Sequence, residues 1–208
     1  MKRLTREEKF MRAAIRAAMK GQAEGEVPIG AVVVYEDKVV AKGYNRRAKL
    51  QLASAHAEMM AIDKACKKFH SWRLPVGCEL YVSLEPCPMC MGASLNARVD
   101  KIYFGAYEQK GRSLTTALAE ANLLNHTTEV VGGVLQEECS ALLSGFFISM
   151  RQNQKEDKER AKMQLQSLEE KFDDKETEKL VHLVDLKQEK GYYKYIRSVC
   201  LKKGKDKE

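Results

Sequence analysis

Glu79-Leu80-Tyr81-Val82-Ser83-Leu84-Glu85-Pro86-Cys87-Pro88-Met89-Cys90 carries an apolar stretch straight into a proline-flanked pair of thiols. Glu79 to Ser83 reads as a strand, because a short run of this composition bounded by turn-forming residues suits a buried sheet. Pro86 and Pro88 suit the opening of a helix, where a missing amide hydrogen costs nothing. Cys87 and Cys90 stand three apart, so both thiols fall on one face of the first helical turn and reach one point. Amide groups and the positive end of the helix dipole favour thiolates there. A strand that feeds two thiolates into a helix start is part of a layered α/β domain.

Upstream lies Ser54-Ala55-His56-Ala57-Glu58. Ser54 can cap a helix running from about Ala55 to Phe69, which places His56 and Glu58 in its first turn. His56 with Cys87 and Cys90 makes the three-ligand set of a catalytic zinc, whose fourth position stays open for water. Glu58 is then a carboxylate near the ion that need not ligate it, as a proton carrier requires. Taken alone, the His-Ala-Glu tripeptide is common, and a lone Cys-x-x-Cys is a structural half-site or a redox pair. A closed structural site wants a fourth Cys or His, and no second close pair of either type exists in the chain. The combination reads as an enzyme. Iron or cobalt tolerates the same ligands.

The pattern His-x-Glu followed by Pro-Cys-x-x-Cys resembles that of the zinc nucleobase deaminases. Val27-Pro28-Ile29-Gly30-Ala31-Val32-Val33-Val34, Gly43-Tyr44-Asn45, Leu84-Glu85-Pro86-Cys87, Phe104-Gly105-Ala106, Glu137-Glu138-Cys139 and Leu143-Ser144-Gly145-Phe146-Phe147 are similar to the bacterial tRNA-specific adenosine deaminases. These matches run from about the first helix to Arg151. The resemblance implies a cytidine deaminase-like three-layer α/β/α sandwich around a five-stranded mixed sheet, and a homodimer. It implies one zinc per subunit on His56, Cys87 and Cys90, with Glu58 as the catalytic proton carrier. Ile29, Asn45, Leu84 and Glu85 are then substrate-binding. Lys110, Arg112, Phe146, Phe147 and Arg151 are then RNA contacts. The reaction implied is hydrolytic deamination of adenosine to inosine at the wobble position of a tRNA anticodon stem-loop. From the residues alone, Asn45 is equally a turn cap, and Phe146 and Phe147 have the spacing of helix core. Two other functions share the signature: deamination of a free cytosine or guanine base or nucleotide, and a noncatalytic RNA-binding subunit.

The rest of the chain fits this frame. Met11, Ala14, Ile15, Ala18 and Met19 recur at helical spacing near the start, interrupted by charge, which reads as an amphipathic helix and not as a targeting segment. Ile29 to Tyr35 and Lys38 to Gly43 read as a hairpin across Glu36-Asp37. Lys101 to Phe104 and Glu129 to Val134 read as two further strands, and Gln136 to about Met150 as a last helix. His70, His126 and His182 are isolated, and Cys66, Cys78, Cys139 and Cys200 read as small buried or incidental residues, reduced in a cytoplasmic protein.

The 208 residues carry a net charge of +7, which permits a polyanionic partner without proving one. Residues 155 to 208 hold 15 Lys and Arg against 13 Asp and Glu, so most of the excess lies on the first 154. The catalytic domain is expected over residues 1–153 and a charged C-terminal extension over 154–208. Gln152 to Lys179 reads as a charged helix or linker, and the segments around Gly191 as a hairpin or as a helix ended by that glycine.

Overall fold

A computed structural model describes residues 3–108, 115–120 and 126–169. The chain divides into two compact units, 1–146 and 147–208.

Within the first unit the element order is α1 (Arg6–Ala23), β1 (Gly30–Tyr35), β2 (Lys38–Tyr44), α2 (Arg47–Leu50), α3 (Ala57–Phe69), β3 (Glu79–Leu84), α4 (Pro88–Asn96), β4 (Lys101–Ala106), α5 (Thr115–Glu120) and β5 (Glu129–Val131). The last helix, α6 (Gln136–Glu169), begins in this unit and continues into the second. The strands form one mixed sheet in the order β2-β1-β3-β4-β5. β1 pairs antiparallel with β2 and β3, while β3, β4 and β5 run parallel. The expected five-stranded mixed sheet and its helical layers are present.

The β1–β2 turn is the two-residue Glu36-Asp37, with both residues at positive φ. That conformation matches strand twist in a tight hairpin, although neither residue is the usual glycine or asparagine. Alternation along the strands divides the core in two. Val33, Leu80, Val82, Ile102 and Phe104 pack with Ala57, Ala61 and Ile62 of α3 and with Met91 and Leu95 of α4. Val32, Val34, Tyr81 and Tyr103 pack with Met11, Ala13 and Ala14 of α1 and with Cys139 of α6. Each fully buried large aliphatic side chain contributes roughly 1.5–3 kcal/mol.

Several local expectations are corrected. α1 is capped by Thr5 in a reciprocal capping box with Glu8, and its inner face is made of Met11, Ala13, Ala14, Ala17, Ala18 and Gly21. Met19, expected inside, is 54% exposed. The small residues let the sheet approach so closely that a Cβ on Gly30 would sit 2.2 Å from the Ala14 carbonyl oxygen. β5 ends at Val131, three residues short of the expected limit, and Gly133 at positive φ turns the chain away. α6 does not stop near Met150 but continues to Glu169, and the 153/154 boundary falls inside it. α2 and α5 were not foreseen.

Candidate metal centre and active site

The strand register fixes where the site forms. β2 and β3 both run antiparallel to β1, so their C-terminal ends share one sheet edge with the start of β1, where Gly30 pairs with Tyr44 and Ala31 with Val82. The loop before β1, Asn45 after β2, and Glu85 to Cys87 after β3 therefore meet at that edge. The carboxyl ends of strands are where open α/β sheets place their ligands.

α3 and α4 deliver the donor atoms. His56 occupies the N-cap position of α3 in extended conformation, and Ser54 does not cap this helix. The Ser54 carbonyl instead accepts the His56 N–H at 2.7 Å. Cys87 is likewise the N-cap of α4, one position before the first turn in which both thiols were expected, with Pro88 following at N1. Cys90 lies three residues on, buried in that turn. The two sulfurs nonetheless converge: His56 Nδ1 is 3.7 Å from Cys87 Sγ and 3.6 Å from Cys90 Sγ. All three donor atoms lie within 4.8 Å of one another. Tetrahedral zinc at its usual bond lengths to nitrogen and sulfur holds such N···S pairs about 3.6 Å apart, so the donor set fits the ion in spacing as well as in chemistry.

The electrostatics of the cluster also call for a cation. Burial, then the neighbouring Glu58 and Cys87, pushes the Cys90 thiol far up. Only a nearby positive charge makes a thiolate stable there. Burial, then Arg47, lowers the His56 pKa and favours the neutral imidazole a metal needs. Glu58 is 4% exposed, and burial raises its carboxyl to about 7 although hydrogen bonding, including to Cys90, opposes the rise. The site thus pairs three metal donors with a buried carboxylate that touches one of them.

Of the remaining expected residues, Ile29, Asn45, Leu84 and Glu85 lie at this sheet edge, just before β1, just after β2, and at and just after the end of β3. Asn45 is buried, and its side-chain Nδ2 donates to Glu26 Oε2 at 2.9 Å. Its backbone N–H donates to the Ile29 carbonyl at 3.0 Å, tying the two at the sheet edge. Leu84 is half-buried against the α1-side core. The buried Glu85 carboxylate accepts the Glu108 N–H at 3.1 Å. Phe147 is 40% exposed, against the core reading of its spacing, and Arg151 is also exposed. Phe146 is half-buried. Lys110 and Arg112 lie outside the described residues. His126 is structural: its Nε2 lies 2.9 Å from the Val99 carbonyl oxygen.

Two supporting residues escaped the sequence reading. Thr115, at the start of α5, donates its hydroxyl to the Pro86 carbonyl at 2.8 Å and so anchors the loop that carries Cys87. Glu26 is 2% exposed and accepts backbone N–H groups from Ala48 and Lys49 as well as the Asn45 amide. Its position just before Val27-Pro28-Ile29-Gly30 is the only sequence signal it offers.

Residues 4–106, which include the whole donor set, match the cytidine and deoxycytidylate deaminase zinc-binding region. The tRNA-specific adenosine deaminase of Bacillus subtilis (strain 168) is 47% identical over 154 residues, covering 73% of this chain and 95% of that protein. The chain belongs to the tRNA-specific adenosine deaminase family. The member from Haemophilus influenzae is 39% identical over 168 residues, covering 79% of this chain and 94% of that protein. A solved structure from a study of A-to-I editing by tRNA:A34 deaminases at the wobble position of transfer RNA matches with TM-score 0.60 and 36% identity, covering 65% of this chain and 99% of that one. A guanine deaminase from Nitrosomonas europaea matches with TM-score 0.58 and 26% identity, covering 67% of this chain and 83% of that one. This family member is a deaminase, and its His-Cys-Cys cluster fits one zinc per subunit.

Proposed function

We propose that this enzyme converts adenosine to inosine at the wobble position of a tRNA anticodon loop. The carrying observation is His56 Nδ1 spaced 3.6–3.7 Å from both sulfurs, with the buried Glu58 beside Cys90. Family membership selects adenosine in tRNA from among the substrates this chemistry serves.

His56, Cys87 and Cys90 hold the zinc. When bound, the ion supplies Lewis-acid activation of water. Glu58 takes a proton from the attacking water and delivers it to N1 of adenine as the new C6–O bond forms. It then passes the remaining hydroxyl proton to the C6 amino group, the C6–N bond breaks, and ammonia leaves with inosine as product. Burial of Glu58 keeps bulk water from short-circuiting this transfer. Ile29, Asn45, Leu84 and Glu85 surround the base. Lys110, Arg112, Phe146, Phe147 and Arg151 contact the RNA. An anticodon loop presents an unstacked base that enters the pocket without duplex opening.

Residues 1–153 carry the catalytic machinery and 154–208 are a charged extension that starts partway along α6. The enzyme works as a homodimer in the cytoplasm. Among the described residues no helix is long and apolar enough to cross a membrane. The deciding assay offers an adenosine-bearing anticodon stem-loop beside free adenosine, cytidine and guanine. Inosine in the stem-loop alone is expected, while turnover of a free base at a comparable rate would replace the substrate.

A further inference from the structure

Glu26 spends both carboxylate oxygens on three N–H donors. Oε1 accepts from Lys49 N at 2.7 Å, and Oε2 accepts from Asn45 Nδ2 at 2.9 Å and from Ala48 N at 3.3 Å. An ionised carboxylate is acceptor-only, so the Asn45 amide can face it only through nitrogen. Its carbonyl oxygen must then point the other way. At the same time Asn45 N–H is fixed to the Ile29 carbonyl, and the next amide, Arg46 N–H, donates to Ala55 O at 2.9 Å, immediately before His56. The asparagine is therefore pinned at its backbone on both the β1 and α3 sides and at its side chain by Glu26. With so little freedom left, its amide plane has one orientation available.

We infer that Glu26 is a positioning residue that sets the hydrogen-bond polarity of Asn45, holding the amide oxygen as the acceptor presented to the substrate. This rests on the reading of Asn45 as a substrate contact. The second task of Glu26, accepting the first free N–H groups of α2, keeps its carboxylate from turning toward solvent. One buried side chain thus couples the loop before β1, the end of β2 and the segment leading to His56. Its contribution to selectivity is electronic as well as steric, because a reversed amide offers a donor where the substrate needs an acceptor.

The test uses the full-length zinc enzyme and the anticodon stem-loop, with kcat and KM measured separately beside zinc content and thermal melting. In Glu26→Gln, the new amide oxygen takes the place of Oε1 and keeps the Lys49 N–H, while its NH2 takes the place of Oε2, faces residue 45 and gives up the longer 3.3 Å contact with Ala48 N–H. Asn45 must then flip, and kcat/KM is expected to fall about tenfold to a hundredfold while zinc content holds. Glu26→Gln combined with Asn45→Asp restores an acceptor on both sides of residue 45 and is expected to recover most of that loss. Asn45→Ala is the control. If Asn45→Ala retains wild-type kcat/KM, the substrate-contact reading fails and takes this inference with it. If Asn45→Ala is impaired but Glu26→Gln is not, only the positioning role is overturned. Failure of the double variant to recover any activity, or a Glu26→Gln loss matched by lost zinc, also overturns it.

Discussion

Gly43 stands directly against the backbone of Ala57, with no room for a methyl group between them. A Cβ on residue 43 would lie 2.1 Å from the Ala57 carbonyl oxygen and 2.6 Å from the Ala61 amide nitrogen. Ala57 separates His56 from Glu58, so this tight approach of the sheet to α3 sets the height of both functional side chains. Gly43→Ala must push α3 outward. Overpacking of this kind costs about 1–3 kcal/mol or more, and here it also displaces His56 from the two sulfurs. The expected outcome is a lower melting temperature together with weaker zinc retention during dialysis. A stable variant with full zinc would show that α3 is not set by this contact.

Glu58→Gln keeps size and removes the ability to carry a proton. Because Glu58 is not among the three converging donors, zinc content is expected to stay at one per chain. Turnover on the stem-loop is expected to drop by about a hundredfold to ten-thousandfold, with KM little changed. Loss of metal in this variant would instead make Glu58 a ligand.

Zinc removal tests the cluster as a structural unit. Without a cation, two thiols, an imidazole and a carboxylate crowd one point, with Cys90 and Glu58 buried and His56 and Cys87 half-buried. Metal binding to the folded state alone raises apparent stability by mass action, so the chelated protein should melt lower and regain its melting temperature on stoichiometric zinc. Activity should return in the same titration. An apoprotein that melts at the zinc-loaded temperature would mean that the donors are held apart from the folding core.

The metal donors were legible because each motif is local: Cys87 and Cys90 belong to one short segment, and His56 and Glu58 to another. The hairpin and the strand leading into α4 were legible for the same reason. What the sequence could not show is carried by long-range polar contacts. α2 forms where Glu26, 22 and 23 residues earlier in the chain, accepts its first N–H groups, so no neighbouring cap announces it. Ser54 is a good cap by composition, yet the extended backbone of His56 takes that position at the metal site. The inner face of α1 defeated a reading based on large side chains. Its alanines are buried because the sheet backbone comes in close, and Met19 is left outside.

Cys78 and Cys139 give the fold a predictable weakness in alkali. Burial first, and then Asp100 near Cys78 and Glu138 near Cys139, pushes each thiol from the ordinary value near 9 up to about 12. The unfolded chain releases these protons from about pH 9, whereas the native state keeps them until about 12. The contribution of each buried thiol is therefore fully present below about pH 9 and is lost as pH rises toward 12. Per thiol, the loss approaches about 1.4 kcal/mol for each pH unit within that window. Cys78→Ala removes one such group, so its denaturation midpoint, though lower at neutral pH, should fall less steeply than wild type between about pH 9 and 10.5. Lysine and tyrosine titrations are shared by both proteins and cancel in the difference. Parallel midpoint curves across this range would show that the Cys78 thiol ionises as readily in the native state as in the unfolded chain.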